Sequence, residues 1–334
     1  STFWRNSWKY QSRTYRHCFW DSGTILANLL AVAASLKLRV NVVVGFVDMW
    51  VANLLGLDTD SEVALGIIPL GWNQEEPPNN IPNIEPLSFE TTPLSKGPEV
   101  DFPTIRTMHE SSSLKSVEET ILWRSAPPLV PLEAALGPVY PLPPADKSVI
   151  SPKAIETVIL RRGSSRKFTY EGIDLNQLSN LLLHGTSQVP LDLLPPGSPP
   201  LNDLYIIANH VEGIPSGAYF YRRGESTLEL LKEGDFRDQA RYLDLEQKLA
   251  GDASLNIYLL SDLHQVLSQW GNRGYRAAQL EAAIIGGRLY LTAYTLGLGA
   301  SGLTFYDNDV TTFFSPHAAT KSPMFLVAVG KPAK

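Results

Sequence analysis

The chain of 334 residues is predicted to adopt an α+β fold in which an antiparallel type of sheet is flanked by helices. Two observations predict this class. Helical and strand-like patterns mix along residues 153–334 without the regular strand–helix–strand alternation of a doubly wound sheet. Two long apolar helices are also predicted, one near each end of the chain, and the sequences that introduce them are related.

The two introducing sequences are "KYQSRTYR" (9–16) and "QWGNRGYR" (269–276). At an offset of 260 residues "RTYR" falls on "RGYR", and after one deletion Asp48 falls on Asp307 at an offset of 259. Matches in this order over about 60 residues indicate a duplicated module. Each copy is predicted to be an arginine-tyrosine entry, a long helix, a short loop and a strand.

Apolar residues at spacings of three and four predict the two long helices. They are Ile25, Leu29, Val32, Ala33 and Leu36 in the first copy, and Ile285, Leu289, Ala293 and Leu296 in the second. Small residues crowd both helices, so we expect the two to pack closely against each other. The runs "VNVVV" (40–44) and "MFLVAV" (324–329) predict the buried strands that follow.

The remaining elements follow from local patterns. "PKAIETVILRR", "LNQLSNLLLHG" and "FRDQARYLDLEQKLAG" predict helices, whereas "LNDLYIIANH", "GAYFYRR", "STLELLKEGD" and "LNIYLLSD" predict strands. Residues 73–152 hold fifteen of the 25 prolines, which predicts an extended connector. We therefore expect three parts: residues 1–72 as the C-terminal part of a first module, 73–150 as a proline-rich connector, and 151–334 as a complete module.

Composition narrows the functional classes. The chain has 28 basic and 34 acidic side chains, a net charge of −6, and no basic run that would follow a phosphate backbone, so we expect no nucleic-acid partner. The longest apolar run, residues 25–36, is shorter than the roughly 20 residues of a membrane span. The single cysteine, Cys18, cannot form an intrachain disulfide, and the six histidines show no metal-ligand spacing. We expect a cytoplasmic protein without a membrane or metal site.

One loop is a candidate anion site. In "RRGSSRKF" (161–168), Arg162, Ser164 and Arg166 alternate, so in an extended loop they project to one side and can surround one phosphate. The alternative is a solvated basic stretch after a helix. The sequence contains neither a P-loop nor a G-x-S-x-G motif, so the phosphate is expected to belong to something other than a nucleoside triphosphate on a Walker loop.

Several phrases together resemble a known family. R-x-S-x-R-x-F, the turn Gly302–Asp307 and the closing "VAVGKP" look like the FMN-dependent nitroreductase fold. More closely, "KYQSRTYR", "GAYFYRRGESTLELLKEGD" and "NRGYRAAQLEA" look like the SagB/ThcOx branch, in a tandem-module form. That branch contains azoline dehydrogenases, which oxidise thiazoline or oxazoline rings in ribosomally made peptides. The resemblance covers residues 150–334 as one module and 1–72 as part of another.

The resemblance implies FMN as the cofactor and assigns roles to residues. Arg162, Ser164 and Arg166 would hold its phosphate and ribityl chain, with Lys331 as a helper. The backbone of Gly302, Leu303 and Thr304 would pass beside the flavin ring. Lys9 and Tyr10 match the family's catalytic Lys-Tyr pair, with Lys9 as the base and Tyr10 orienting or relaying the proton.

In this fold the flavin lies at a dimer interface, so a tandem chain resembles a dimer fused into one polypeptide whose two sites are free to differ. The first site would combine the clamp of the second module with Lys9 and Tyr10 of the first. The mirror site would have Gln269 and Trp270, neither of them a base, and "LPPGSPPL" (194–201), which keeps only Gly197 of the family's Pro-Ser-Ala-Gly stretch. We expect one live and one dead site.

The leading hypothesis is an FMN-dependent azoline dehydrogenase or oxidase that acts on a modified peptide, with a cyclodehydratase as a further partner. Two alternatives stay open: an NAD(P)H-dependent flavin or nitro reductase, and a degenerate, non-catalytic scaffold that binds a peptide. The chain is expected to be an intrachain pseudo-dimer, and whether two chains associate stays open.

Overall fold

The computed structural model describes residues 1–71, 85–88, 99–130, 134–146, 148 and 153–333. Its helices are α1 (Ser7–Tyr10), α2 (Thr14–Ser35), α3 (Asp48–Leu55), α4 (Pro103–Ser111), α5 (Val117–Arg124), α6 (Ile155–Arg161), α7 (Leu175–Gly185), α8 (Arg237–Leu243), α9 (Lys248–Asp252), α10 (Leu263–Thr295) and α11 (Asp307–Phe314). Its strands are β1 (Val139–Pro141), β2 (Asp203–Ala208), β3 (Gly217–Arg222), β4 (Thr227–Glu233), β5 (Leu255–Ser261), β6 (Gly299–Gly302) and β7 (Ser322–Gly330).

The strands form one sheet in the order β1-β4-β3-β2-β5-β7-β6, and every neighbouring pair is antiparallel. The central strands β3 and β5 are buried along their whole length, which explains why their sequences are nearly continuous apolar runs. Helix α10 packs on β7. The predicted α+β class with an antiparallel sheet is confirmed.

Helices α2 and α10 pack along each other through small residues at equivalent repeat positions. A side chain at Gly23 would overlap Ala283, and a Cβ at Gly287 would lie 2.6 Å from the Cβ of Ala27. Gly23 and Ala283 are 260 positions apart, as are Ala27 and Gly287. We call the two related segments, residues 1–72 and 269–334, the first and second repeat. Because each contact is the counterpart of the other, the two repeats are related by a local two-fold arrangement.

The arginine pairs of the two repeats exchange carboxylate partners. Arg13 and Arg16 bind Asp307, with 2.9 Å between Arg13 Nη1 and Asp307 Oδ2. In return, Arg273 and Arg276 bind Asp48, with 3.0 Å between Arg276 Nη1 and Asp48 Oδ1. The aligned aspartates are therefore the reciprocal anchors that hold each helix entry to the loop of the other repeat.

Both helix entries also share a backbone kink that the sequence patterns did not predict. Gln11, after α1, has φ 51° and ψ −139°, and Gly271, inside α10, has φ 56° and ψ −160°. These residues again lie 260 positions apart. In each repeat the kink separates a short helical segment from the long helix that follows it. The short segment carries Lys9 in the first repeat and Gln269 in the second, so the kink sets the direction of these two side chains.

The apolar stripe predicted for α2 does not face α10. Ile25 and Leu36 are each 64% exposed, because the close approach of the helices selects the small-residue face instead. Their counterparts in the second repeat are buried, since Ile285 is fully buried and Leu296 is 6% exposed. The segment Trp4–Ser35 is long and apolar enough to cross a membrane by length and composition alone, although 44% of its most apolar stretch is buried inside the protein.

Three predicted elements differ from the structure. The run "VNVVV" forms only isolated bridges, such as Val43 with Ile67, and no strand. The connector is not wholly extended, because its described part contains α4, which has proline in its first turn, and α5, which is capped by Ser116. The single helix predicted over residues 236–251 is divided into α8 and α9 by Leu245 and Glu246, which have positive φ angles.

Candidate active site

A cavity of about 690 Å³, the size class of cofactor sites, lies between the first repeat and the second module. We call it the open cavity. The first repeat contributes Lys9, Tyr10, His17, Trp20, Asp21 and Thr24 to its lining. The second module contributes the predicted Arg162, Ser164, Arg166, Gly302, Leu303 and Thr304, together with Leu245, Gln247, Gly287, Tyr290 and Phe325. The structure thus brings eight of the nine predicted site residues together.

The loop after α6, residues 162–168, is fixed to the rest of the module by its backbone, and we call it the arginine loop. Tyr294 Oη donates a hydrogen bond of 2.9 Å to the carbonyl of Gly163, and the N–H of Ser165 donates one of 2.9 Å to the carbonyl of Ala300. A bridge between Phe168 and Pro332 closes its far end. The loop is therefore held extended, as the alternation of Arg162, Ser164 and Arg166 predicts.

Arg162 and Arg166 are suited to an anion. Within the described residues neither guanidinium has a carboxylate or other hydrogen-bonding partner, and the Arg162 guanidinium lies 5.9 Å from the centroid of the Tyr290 ring. The hydroxyl oxygens of Ser164 and Tyr290 are 3.2 Å apart. Two cations without counter-charges and a hydroxyl group line one wall, which is the donor set that a phosphate requires.

The segment from Gly302 to Thr304 forms another wall. The N–H of Gly302 donates to Tyr290 Oη, and the N–H of Leu303 donates to the carbonyl of Leu326 at 3.3 Å. In the described part of the chain the N–H of Thr304 has no acceptor. One backbone donor at the edge of the open cavity is therefore available to a ligand.

Lys331 lies outside the residues that line the open cavity. Its ammonium is 3.3 Å from Glu171 Oε2, and its carbonyl accepts a hydrogen bond of 2.9 Å from the N–H of Thr169. In the structure Lys331 therefore supports the base of the arginine loop and does not reach the cavity.

The first repeat supplies a polar and aromatic wall. The ammonium of Lys9 lies 4.9 Å from the centroid of the Tyr10 ring, and the Tyr10 ring stacks on His17 with centroids 3.9 Å apart. Lys9 is exposed and Tyr10 is half-buried. Both side chains come from α1, on the far side of the kink from α2.

Sequence reasoning missed the part of this wall that α2 provides. Trp20 and Asp21 lie three and four positions after His17, and Thr24 lies three and four positions after them, so the four residues form one helical stripe. Burial, followed by the charges of Arg13, Lys9 and Arg16, lowers the pKa of His17 to about 4. Burial also raises the pKa of Asp21. Polar residues at helical spacing beyond "KYQSRTYR" were the available signal.

The equivalent place in the other repeat is filled by the chain itself. Val44 and Gly45 correspond to Leu303 and Thr304, and their N–H groups donate to the carboxylate of Asp192 at 2.9 and 3.1 Å. Arg124 binds the same carboxylate at 2.8 Å and also donates to the carbonyl of Gly45. We call this arrangement, with Trp123, the closed cradle.

Trp123 completes the closed cradle. A Cβ on Gly45 would lie 2.8 Å from the Trp123 ring, so this position must be glycine where its counterpart is Thr304. The indole N–H of Trp123 donates to the carbonyl of Trp270 at 2.8 Å. Gly197, in the stretch expected at this site, instead donates its N–H to Gln188 at 2.9 Å.

Residues 159–331 match the model of the nitroreductase family. This span is just over half of the chain, so the chain belongs to the nitroreductase family and is an oxidoreductase. The chain is also 23% identical over 183 residues to nitroreductase MJ1384 of Methanocaldococcus jannaschii, a match that covers 53% of this chain and 90% of the relative.

Two solved structures are similar to this chain to different degrees. A crystal structure named as a nitroreductase from Anabaena variabilis superposes with a TM-score of 0.74 at 23% identity, covering 99% of this chain and 68% of that one. A chain of the E. coli microcin synthetase McbBCD complex with truncated pro-MccB17 bound has a TM-score of 0.46 at 18% identity, covering 70% and 93%. At 23% identity the likeness to the Anabaena variabilis structure shows the fold alone.

Proposed function

We propose that this chain is an FMN-dependent dehydrogenase that converts thiazoline or oxazoline rings of ribosomally made peptides into thiazoles or oxazoles. The observation that carries the proposal is that Lys9 and Tyr10, which come from the first repeat, line the same cavity as the arginine loop of the second module. A Lys-Tyr pair at this place is the catalytic signature of the azoline dehydrogenases that the sequence resembles.

The residues present fit FMN at both ends. Arg162 and Arg166 offer guanidiniums that have no counter-charge among the described residues, and they suit a phosphate. Thr304 offers a backbone N–H without an acceptor in the same part of the chain, at the wall where the resemblance puts the flavin ring. Gly287 also lines the cavity, at a point where α2 and α10 are in close contact. Bound there, FMN would supply the hydride acceptor.

The chain's own contribution is to bind, to orient and to move a proton. Ring oxidation removes one proton and one hydride from an azoline. In its neutral form, the amine of Lys9 takes the proton from the ring carbon, while Tyr10, whose ring lies beside the ammonium, orients it. A ring bound between the Lys9 amine and the segment from Gly302 to Thr304 can lose its proton on one side and its hydride on the other.

The substrate is then a peptide that already carries azoline rings. A cyclodehydratase makes such rings from cysteine, serine or threonine side chains, and it is the partner class implied by the resemblance. The open cavity takes the ring, while the rest of the peptide stays outside.

The test is anaerobic reduction of the bound flavin. The purified protein should show flavin absorption at about 375 and 450 nm. Mixing it with a thiazoline peptide without oxygen should bleach the band at longer wavelength as thiazole forms. Lys9→Ala and Lys9→Arg should keep the flavin but lose bleaching by about 10²- to 10⁴-fold. Arginine keeps the positive charge and cannot act as a base.

Gln269→Ala is the matched control, because Gln269 is the exposed counterpart of Lys9 in the second repeat and should leave the rate unchanged. Full activity of Lys9→Arg would show that Lys9 is not the base. Bleaching by NADPH without bleaching by the thiazoline peptide would instead identify a general flavin reductase, and a protein that binds no FMN would identify a non-catalytic scaffold.

A further inference from the structure

His17 is held between two aromatic side chains of the open cavity. Its ring stacks on Tyr10 with centroids 3.9 Å apart and an angle of 27° between the planes. It also meets Trp20 edge to face, with centroids 4.6 Å apart and an angle of 63°. All three residues line the cavity, so the orientation of Tyr10 depends on the imidazole beside it.

The imidazole occupies this position without a charge. Lys9, Arg13 and Arg16 surround it, and burial together with these cations lowers its pKa to about 4. Its Nε2 is buried and has no hydrogen-bond partner among the described residues, so protonation would create an N–H that lacks an acceptor there. A neutral flat ring can stack on Tyr10 without adding to the positive charge around Lys9.

The second repeat provides an internal comparison. The counterpart of His17 is Ala277, and it occurs where Lys9 and Tyr10 are replaced by Gln269 and Trp270. The imidazole is thus found only in the copy that carries the Lys-Tyr pair and the open cavity.

We propose that His17 is a positioning residue that fixes the ring of Tyr10 beside Lys9 by stacking. This inference rests on the proposed ring oxidation for its effect on rate, whereas the stacking itself concerns the chain alone. Without the imidazole, the Tyr10 ring can rotate away from the bound azoline, and the proton transfer loses its orientation while substrate still enters the cavity.

The test compares His17→Ala with His17→Phe, which keeps a neutral stacking ring. With the thiazoline peptide, His17→Ala should lower kcat by about 10- to 100-fold with KM nearly unchanged, and His17→Phe should remain within about threefold of the parent, because stacking is retained. The exposed His264→Ala should match the parent protein. Unchanged kcat in His17→Ala, or equal losses in both variants, would overturn the proposal.

A second readout does not depend on activity. In protein labelled with 3-fluorotyrosine, the fluorine resonance of Tyr10, assigned by its absence in Tyr10→Phe, should shift strongly in His17→Ala and little in His17→Phe. A resonance unmoved in His17→Ala would show that the rings do not stack, even if ring oxidation is confirmed. A parent protein inactive on azolines but with the shift present would refute the proposed function and leave the stacking intact.

Discussion

The open cavity beside Thr304 and the closed cradle beside Gly45 lie at equivalent positions of the two repeats. At the first, the N–H of Thr304 has no acceptor within the described residues. At the second, Asp192 accepts the equivalent N–H of Gly45 at 3.1 Å, and Trp123 covers it. The difference lies in what the rest of the chain places against a shared backbone, since neither Asp192 nor Trp123 belongs to the first repeat.

The comparison extends to the residues on the long helices. Asp21 faces the open cavity, whereas its counterpart Glu281 is 1% exposed and accepts hydrogen bonds of 3.0 and 2.9 Å from the backbone and side chain of Asn202. The same acidic position therefore lines a cavity in one repeat and stabilises the core in the other. Equivalent positions of the two repeats thus have different surroundings, one at a cavity and one in the core.

Flavin stoichiometry is the largest expected difference between the two places. The protein should bind one FMN per chain, because the backbone donors of the closed cradle already bind Asp192, and Arg124 pairs with that carboxylate. Equilibrium dialysis followed by quantification of released flavin measures the ratio. Two FMN molecules per chain would show that the cradle opens and would contradict the comparison.

The arginine loop should determine whether that one flavin is held. Replacing both Arg162 and Arg166 by alanine removes two charge-assisted contacts with the phosphate, each worth about 1.5–3 kcal/mol, so FMN affinity should fall by roughly 10²- to 10⁴-fold. Fluorescence titration of the apoprotein with FMN gives the dissociation constants. Arg161→Ala, an exposed neighbour outside the cavity lining, should bind like the parent; an equal loss there would indicate a nonspecific charge effect.

The two sets of reciprocal ion pairs are expected to differ in how much they stabilise the folded protein. Arg273, Arg276 and Asp48 have side chains that are only 2%, 3% and 10% exposed, and burial together with Arg276 lowers the pKa of Arg273 to about 9. Asp48→Asn leaves two buried guanidiniums without a counter-charge and should lower the free energy of unfolding by about 3–5 kcal/mol.

Asp307→Asn is the matched variant, because Asp307 is 30% exposed and its partners are 29% and 23% exposed. It should cost about 1 kcal/mol or less. Urea unfolding of both variants, followed by circular dichroism, measures the difference. Equal losses would mean that the two anchors are energetically alike despite their different burial.

Much of the site was predictable from sequence because its residues follow local patterns. The alternation of Arg162, Ser164 and Arg166 matches the extended loop, and the offset of 260 residues matches the helix packing and exchanged ion pairs. The predicted strand at "VNVVV" was wrong, since its backbone meets Ile67 and Leu191 only at isolated bridges. A run of β-branched residues indicates a preference for extended structure and does not supply a neighbouring strand.

By itself, the sequence determined the repeat, the two long helices, the arginine loop and the placement of Lys9 and Tyr10 at a helix entry, because each depends on residues close together in the chain or on the internal comparison. Only the tertiary structure decided that the small-residue face of α2 would meet α10, that His17 would stack on Tyr10, and that Asp192 and Trp123 would fill one of the two cradles. The stacking depends on the backbone direction around the kink, and the other two outcomes depend on partners that lie far apart in the chain, for which no local pattern exists.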